Sequence, residues 1–156
     1  MKHLPILVIL FPLCGALLCP LLGKLSKNAG KRTVLCTLFA SAVCAVMQLV
    51  QVVRGGSALH YWLGGWKPPY GIEFVIDGIN APIILLVAGI SFLTALYSSP
   101  FEETATHDPL RVNVYYTTLA CLAIGLLGMA STGDAFNLYV FMEITALAGY
   151  GLIAAG

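Results

Sequence analysis

The sequence predicts an all-α polytopic membrane protein: five transmembrane helices, with an extracytoplasmic β-hairpin between helices 2 and 3. Three observations predict it. First, charge is scarce: 10% of the residues are charged and 59% are apolar, at a mean hydropathy of +0.90. Soluble domains average about 25% charged residues, so this chain has too few to cover a globular surface. Second, five separate stretches each hold about 20 mostly apolar residues, enough to cross the roughly 30 Å hydrocarbon core. Third, between the second and third stretches the apolar period drops to about 2, the signature of a strand. A soluble enzyme, a disulfide scaffold, a disordered linker and a nucleic-acid module are disfavoured together. The net charge of +1 comes with no long basic or acidic run, so it points to no charged partner.

The whole chain, 1–156, reads as one membrane domain. The first span is expected over 4–23, with Pro5 at its start, where a missing N–H costs nothing. It is too long for a secretory signal and lacks a small-residue cleavage site before GKLSKNAGKR, so it reads as a retained helix. Further spans are expected over 33–53, 79–98, 113–131 and 135–155. Residues 58–77 hold ALHYWL and GIEFVID on either side of the turn-forming GGWKPPY. In the second run Ile72, Phe74 and Ile76 alternate with Glu73, Val75 and Asp77, which predicts a hairpin. Its aromatics Tyr61, Trp62, Trp66 and Tyr70 suit a headgroup zone or a protein neighbour.

Orientation follows from the basic residues in short loops. Lys24, Lys27, Lys31 and Arg32 occupy the first loop without an acid, which places that loop in the cytoplasm. Five crossings then put the N-terminus outside and the C-terminus in the cytoplasm. The third loop carries Glu102, Glu103 and Asp108 against Arg111, but acids count little in this rule.

Every Asp, Glu, Lys and Arg falls in a loop or near a helix end except Glu143, in the middle of the fifth span. A charged side chain at that depth costs about 2.5–3.5 kcal/mol on the lenient insertion scale. Protonating an ordinary glutamate at pH 7 costs a similar amount, about 3.7 kcal/mol at roughly 1.36 per pH unit. Such a residue is poised between an ionised, paired state and a neutral one, which is what a proton-transfer site needs. Positions three, four and seven away share its face: Phe136, Tyr139, Val140, Ala146, Leu147 and Tyr150. Tyr139 and Tyr150 offer hydroxyls to the carboxyl or to a water, and Thr145 and Asn137 lie to the sides. The plainer reading is that Glu143 bonds a neighbouring helix as structural glue.

Other candidates have ordinary explanations. Asp134 follows Ser131-Thr132-Gly133 and precedes the apolar run, so it reads as the N-cap of the fifth helix. Asp77 reads as an N-terminal residue of the third helix. Cys14, Cys19, Cys36, Cys44 and Cys121 all fall inside spans, in no metal spacing, and read as small apolar residues. His3, His60 and His107 sit in separate segments and read as solvated or interfacial. No phosphate-binding glycine motif, nucleophile–base set or ligand set for flavin, haem or iron–sulfur stands out, so neither a metal nor another cofactor is expected. Spacings such as Cys121/Gly125, Ser91/Ala95 and Thr145/Gly149 suggest close helix packing.

GDAFNLYVFMEITALAGYGLIA resembles the fifth-helix motif of the antiporter-like, proton-translocating membrane subunits. These include the D-type component of Mrp-type multisubunit cation/proton antiporters and the large antiporter-like subunits of complex I and membrane-bound hydrogenases. LGGWKPPYGIEFVIDGINAPIILLVAGISFLTALYS resembles the family's outer hairpin and third helix, and its wording leans toward the Mrp D-like branch. The specific likeness spans residues 60–156; residues 1–58 match in layout only.

The resemblance implies a multi-pass subunit of a prokaryotic cell membrane, with Glu143 at the position of the family's proton-moving glutamate. It implies a later helix bearing a lysine partner, which this chain lacks. It also implies other membrane subunits as partners, one supplying that lysine, and H⁺ with Na⁺ as candidate transported ions. The expectation is a split or shortened subunit that works in a larger complex; the alternatives are an assembly subunit without its own ion path, or a truncated antiporter.

Overall fold

The computed structural model describes residues 3–24, 28–105 and 109–155, with backbone alone at 99–105, 109 and 155. The elements run α1 (Leu4–Gly23), α2 (Ala29–Gly55), β1 (Leu59–Trp62), β2 (Glu73–Ile76), α3 (Asn80–Ala105), α4 (Pro109–Ser131) and α5 (Ala135–Ala155). All five α-helices are long and apolar enough to cross a membrane. In lipid every backbone polar group needs an internal partner, and only helices or closed barrels supply one along the whole span. Pro12 and Pro20 lie inside α1, which helix neighbours and local adjustment make tolerable in such a setting.

α4 is the hub. It packs against α1, α3 and α5, and α2 closes the bundle between α1 and α3. Tyr116, Ala120, Ala123 and Leu127 of α4 are buried, with the Tyr116 hydroxyl reaching the Ala95 carbonyl of α3 at 3.4 Å. Polar bonds tie α1 to α2: Ser41 Oγ donates to Val8 O at 2.6 Å and Gln48 Nε2 to Leu4 O at 2.8 Å. Such bonds, with small residues at contacts, replace the hydrophobic drive that is missing between helices in lipid.

The hairpin forms where expected, antiparallel, with Leu59 opposite Ile76, His60 opposite Val75, Tyr61 opposite Phe74 and Trp62 opposite Glu73. Phe74 and Ile76 are buried, while Glu73 and Val75 are half-buried, so the alternation in sequence is the alternation in burial. α2 hands over to it through Gly56 (φ 61°), whose left-handed conformation lets its N–H close on Val52 O at 3.0 Å.

α2, α3 and α4 extend beyond the expected spans: α2 runs over 29–55 rather than 33–53, α3 continues to 105 rather than 98, and α4 begins at 109 rather than 113. The extensions carry Lys31, Arg32, Glu102, Glu103 and Arg111 in additional helical turns, Lys27 and Asp108 lie outside the described residues, and Lys31, expected in a loop, is buried within the first turn of α2.

Candidate functional site

α5 rests on α4 and is the least buried of the five helices. Its contact side is built from small residues and an aromatic plug. Phe141 fills the space above Gly128, and Thr145 fills the space at Gly125, where an added Cβ would collide with the Thr145 hydroxyl. Thr145 Oγ1 donates back to Phe141 O at 2.8 Å. Thr145 is thus turned toward α4 and packs there.

The opposite side of α5 is uncovered. Glu143 is exposed there, with Phe136 at 72%, Tyr139 at 56%, Leu147 at 68% and Tyr150 at 69% relative exposure. These are the residues that the helical spacing groups around Glu143. The Tyr139 hydroxyl lies beside the Glu143 carboxyl one turn away, and Tyr150 is on the same strip nearly two turns further on. Glu143 stands eight residues past the start of α5, about 12 Å along the axis, well inside the apolar span. Asn137 is buried instead, its amide donating to Thr132 Oγ1 at 3.0 Å.

The start of α5 is fixed by the hairpin. Gly133 N donates to Glu73 O at 2.9 Å, Phe74 forms a bridge with Thr132, and the Phe74 and Phe141 rings lie 6.4 Å apart. Asp134 caps the helix through Oδ1, which accepts from Phe136 N at 3.2 Å. Asp77 does the same for α3, accepting from Ile79 N at 2.8 Å and Asn80 N at 2.9 Å, and these bonds hold its carboxyl below the usual range. This docking of the hairpin on the α4–α5 turn is the feature sequence reasoning missed; the paired turn-formers Ser131–Asp134 were the one hint.

Two histidines also find partners. His60 Nδ1 sits 2.7 Å from Glu73 Oε1, which also accepts from Trp62 Nε1 at 3.0 Å, and Lys67 Nζ lies 5.1 Å from the Trp62 ring centre. His3 meets Tyr61 edge-on, its Nδ1 3.4 Å from the hydroxyl. His107 lies outside the described residues. Among the described residues the cysteines are unbonded to one another, and no group of three or more His, Cys, Asp and Glu could hold a metal ion.

No protein-family model matches the chain. It is 39% identical over 99% of its length to the N-type component of NADH-quinone oxidoreductase from Desulforudis audaxviator. It is 37% identical over its full length to the D-type component of the Na⁺/H⁺ antiporter from Bacillus subtilis. The chain spans about 30% of the length of each of these relatives. Among solved structures it superposes on a chain of the membrane-bound sulfane sulfur reductase, an archaeal respiratory membrane complex, with a TM-score of 0.84 at 36% identity. That match covers 95% of this chain and 29% of the other. Homologues from both the antiporter D and the respiratory N lines therefore cover this chain end to end.

Proposed function

We propose that this chain, homologous throughout to about 30% of the length of those antiporter and respiratory proteins, is a membrane subunit of an ion-translocating complex in which Glu143 transfers protons. The complex is of the Mrp antiporter or complex I-like kind, as the relatives' names and the respiratory neighbour suggest.

The observation that carries the reading is the placement of Glu143. An ionisable group well inside an apolar helix, turned away from the bundle's own packing, meets either lipid or a further protein element. Lipid offers no compensation for a carboxylate, whereas a cationic side chain from an adjoining element does. Such a pair lets Glu143 alternate between a paired carboxylate and a neutral acid that has taken up a proton. Tyr139 supplies a hydroxyl that donates to the carboxylate or orders a water beside it. The partner is a lysine on an adjoining membrane segment, H⁺ is the ion moved, and Na⁺ the ion exchanged in the antiporter case. The first-loop basic residues orient the protein with its N-terminus and hairpin outside and its C-terminus in the cytoplasm.

The test is Glu143→Gln in the assembled complex, with cation-dependent proton movement followed in vesicles. Loss of movement with intact assembly is expected. Normal movement overturns the reading, and loss of the complex itself favours an assembly role for this chain.

A further inference from the structure

The fold treats the two edges of the hairpin differently. Leu63 N donates to Ile72 O at 2.9 Å, and the register of β1 on β2 then turns the backbone groups of Leu59 and Tyr61 toward β2 as well. Antiparallel pairs alternate, so His60 and Trp62, opposite Val75 and Glu73, turn theirs away from the ladder. On β2 the outward edge is covered within the chain: Glu73 O accepts from Gly133 N, and Phe74 forms its bridge with Thr132. On β1 it is not. Among the described residues no hydrogen bond reaches the backbone N–H or C=O of His60 or Trp62, and both residues are exposed.

A cavity of about 890 Å³ lies along that edge. Residues 58–62 line it in succession, with His3 and Pro5 from the start of α1 and Gln51 from the last turns of α2. Successive strand residues point to opposite faces, so a cavity that touches five in a row follows the edge and not one face. Among the described residues no Asp, Glu, Lys or Arg lines it. The edge is also pre-set. Glu73 Oε1 takes the His60 imidazole at 2.7 Å and the Trp62 indole at 3.0 Å, which fixes both side chains on one face and leaves the main chain free. β1 carries none of the guards that keep an edge unpaired, such as a lysine, a proline or a bulge.

We propose that the free edge of β1 takes an extended, uncharged segment of a neighbouring subunit as a third strand. The inference rests on the reading of the chain as a subunit of a larger complex, but not on Glu143. Donors and acceptors that alternate along an extended edge are matched by another extended backbone, and neither an acyl chain nor a headgroup repeats that pattern. Main-chain bonds to His60 and Trp62 carry the affinity, and the flanking side chains set the choice of segment. The uncharged lining calls for apolar or uncharged side chains on that segment. Those on one face meet Tyr61 and His3, which already touch edge-on, and those on the other lie along His60 and Trp62.

Hydrogen exchange and photo-cross-linking on the intact complex test it. With the edge open, the Tyr61 and Leu63 amides exchange slowly and those of His60 and Trp62 fast. With a third strand all four are slow, and that is the expected pattern. A photoreactive residue replacing the exposed Ala58 should join one uncharged stretch of another subunit. His60→Pro removes an edge N–H where an edge strand tolerates proline, and should cut that adduct about fivefold, the worth of one hydrogen bond. His60→Gln keeps the N–H and should keep the adduct. Fast exchange at His60 and Trp62 overturns the proposal, as does an adduct to lipid or to a second copy of this chain. An adduct indifferent to His60→Pro, or lost equally in both variants, overturns it too. A chain that purifies without other subunits sinks the subunit reading together with this one, whereas a complex whose β1 edge is open sinks this one alone.

Discussion

Gly125 of α4 meets the Thr145 hydroxyl of α5 with no room for a side chain between them. One of the contacts that hold α5 is thus made from a missing side chain and a short polar one. Gly125→Ala forces the helices apart and should destabilise the protein by about 1–3 kcal/mol, the usual range for overpacking. Adding Thr145→Ala should recover only part of that loss, because the new methyl still meets Thr145 N and Phe141 O of the α5 backbone at 2.9 and 3.0 Å, and Thr145→Ala alone should leave proton movement per assembled complex unchanged. Unfolding midpoints of the detergent-solubilised variants, with transport normalised to assembled protein, decide it. A large transport defect from Thr145→Ala would show the residue acting on the proton path after all.

The helices were legible because length and apolarity decide spans: α1 and α5 have the expected limits, 4–23 and 135–155. The hairpin was legible because Ile72 to Asp77 alternate, and Phe74 and Ile76 are the members that are buried. What could not be read was rotation. α5 is apolar on every side, so no periodicity distinguishes its α4-facing residues, Phe141 and Thr145, from its open strip, Tyr139 and Glu143. Phe136, Tyr139, Leu147 and Tyr150, which the spacing sets around Glu143, are exposed with it, but only the glycines of α4 say which way that side faces. The bonds from Glu73 and Phe74 to the α4–α5 turn join residues about sixty positions apart, beyond the reach of local pattern.

The hairpin carries an acid-sensitive contact. Glu73 is held below its ordinary value of 4.5, first by its hydrogen bond to His60, with Trp62 and the His60 charge adding to this against desolvation. A carboxyl depressed in the folded state binds protons less readily there than in the unfolded chain. Its stabilising contribution is therefore complete above the ordinary range and lost as pH falls through the lowered native value. Because Glu73 Oε1 accepts from the Trp62 indole, the emission of Trp62 in a Trp66→Phe background should change reversibly at pH below 4.5. Glu73→Gln should abolish that titration; its persistence would assign the change to another group.

Asp134 separates helix capping from transport. Its Oδ1 satisfies the Phe136 N–H, so Asp134→Ala should cost about 1 kcal/mol, the typical worth of an N-cap. Faster hydrogen exchange at the Phe136 amide should accompany it, while Asp134→Asn retains the cap and the protection. Proton movement per folded complex should remain at the unsubstituted level in both variants, and a transport loss in Asp134→Asn would place this carboxylate on the ion path.

Tyr139 and Tyr150 rank the open strip. The Tyr139 hydroxyl lies beside the Glu143 carboxyl, one helical turn away, whereas Tyr150 is nearly two turns further along. A hydrogen bond to a charged group contributes about 1.5–3 kcal/mol, so Tyr139→Phe should slow proton movement by roughly tenfold or more if that bond forms during transfer. Tyr150→Phe removes the hydroxyl of another exposed tyrosine that is not adjacent to the carboxyl, and should have a smaller effect. Both are exposed on the side of α5 away from α4, so neither change disturbs the Gly125–Thr145 or Gly128–Phe141 contacts. Initial rates of cation-dependent proton movement in vesicles, at matched assembly, give the order. A full rate in Tyr139→Phe beside a strong loss in Tyr150→Phe would move the proton route toward the C-terminal end of α5.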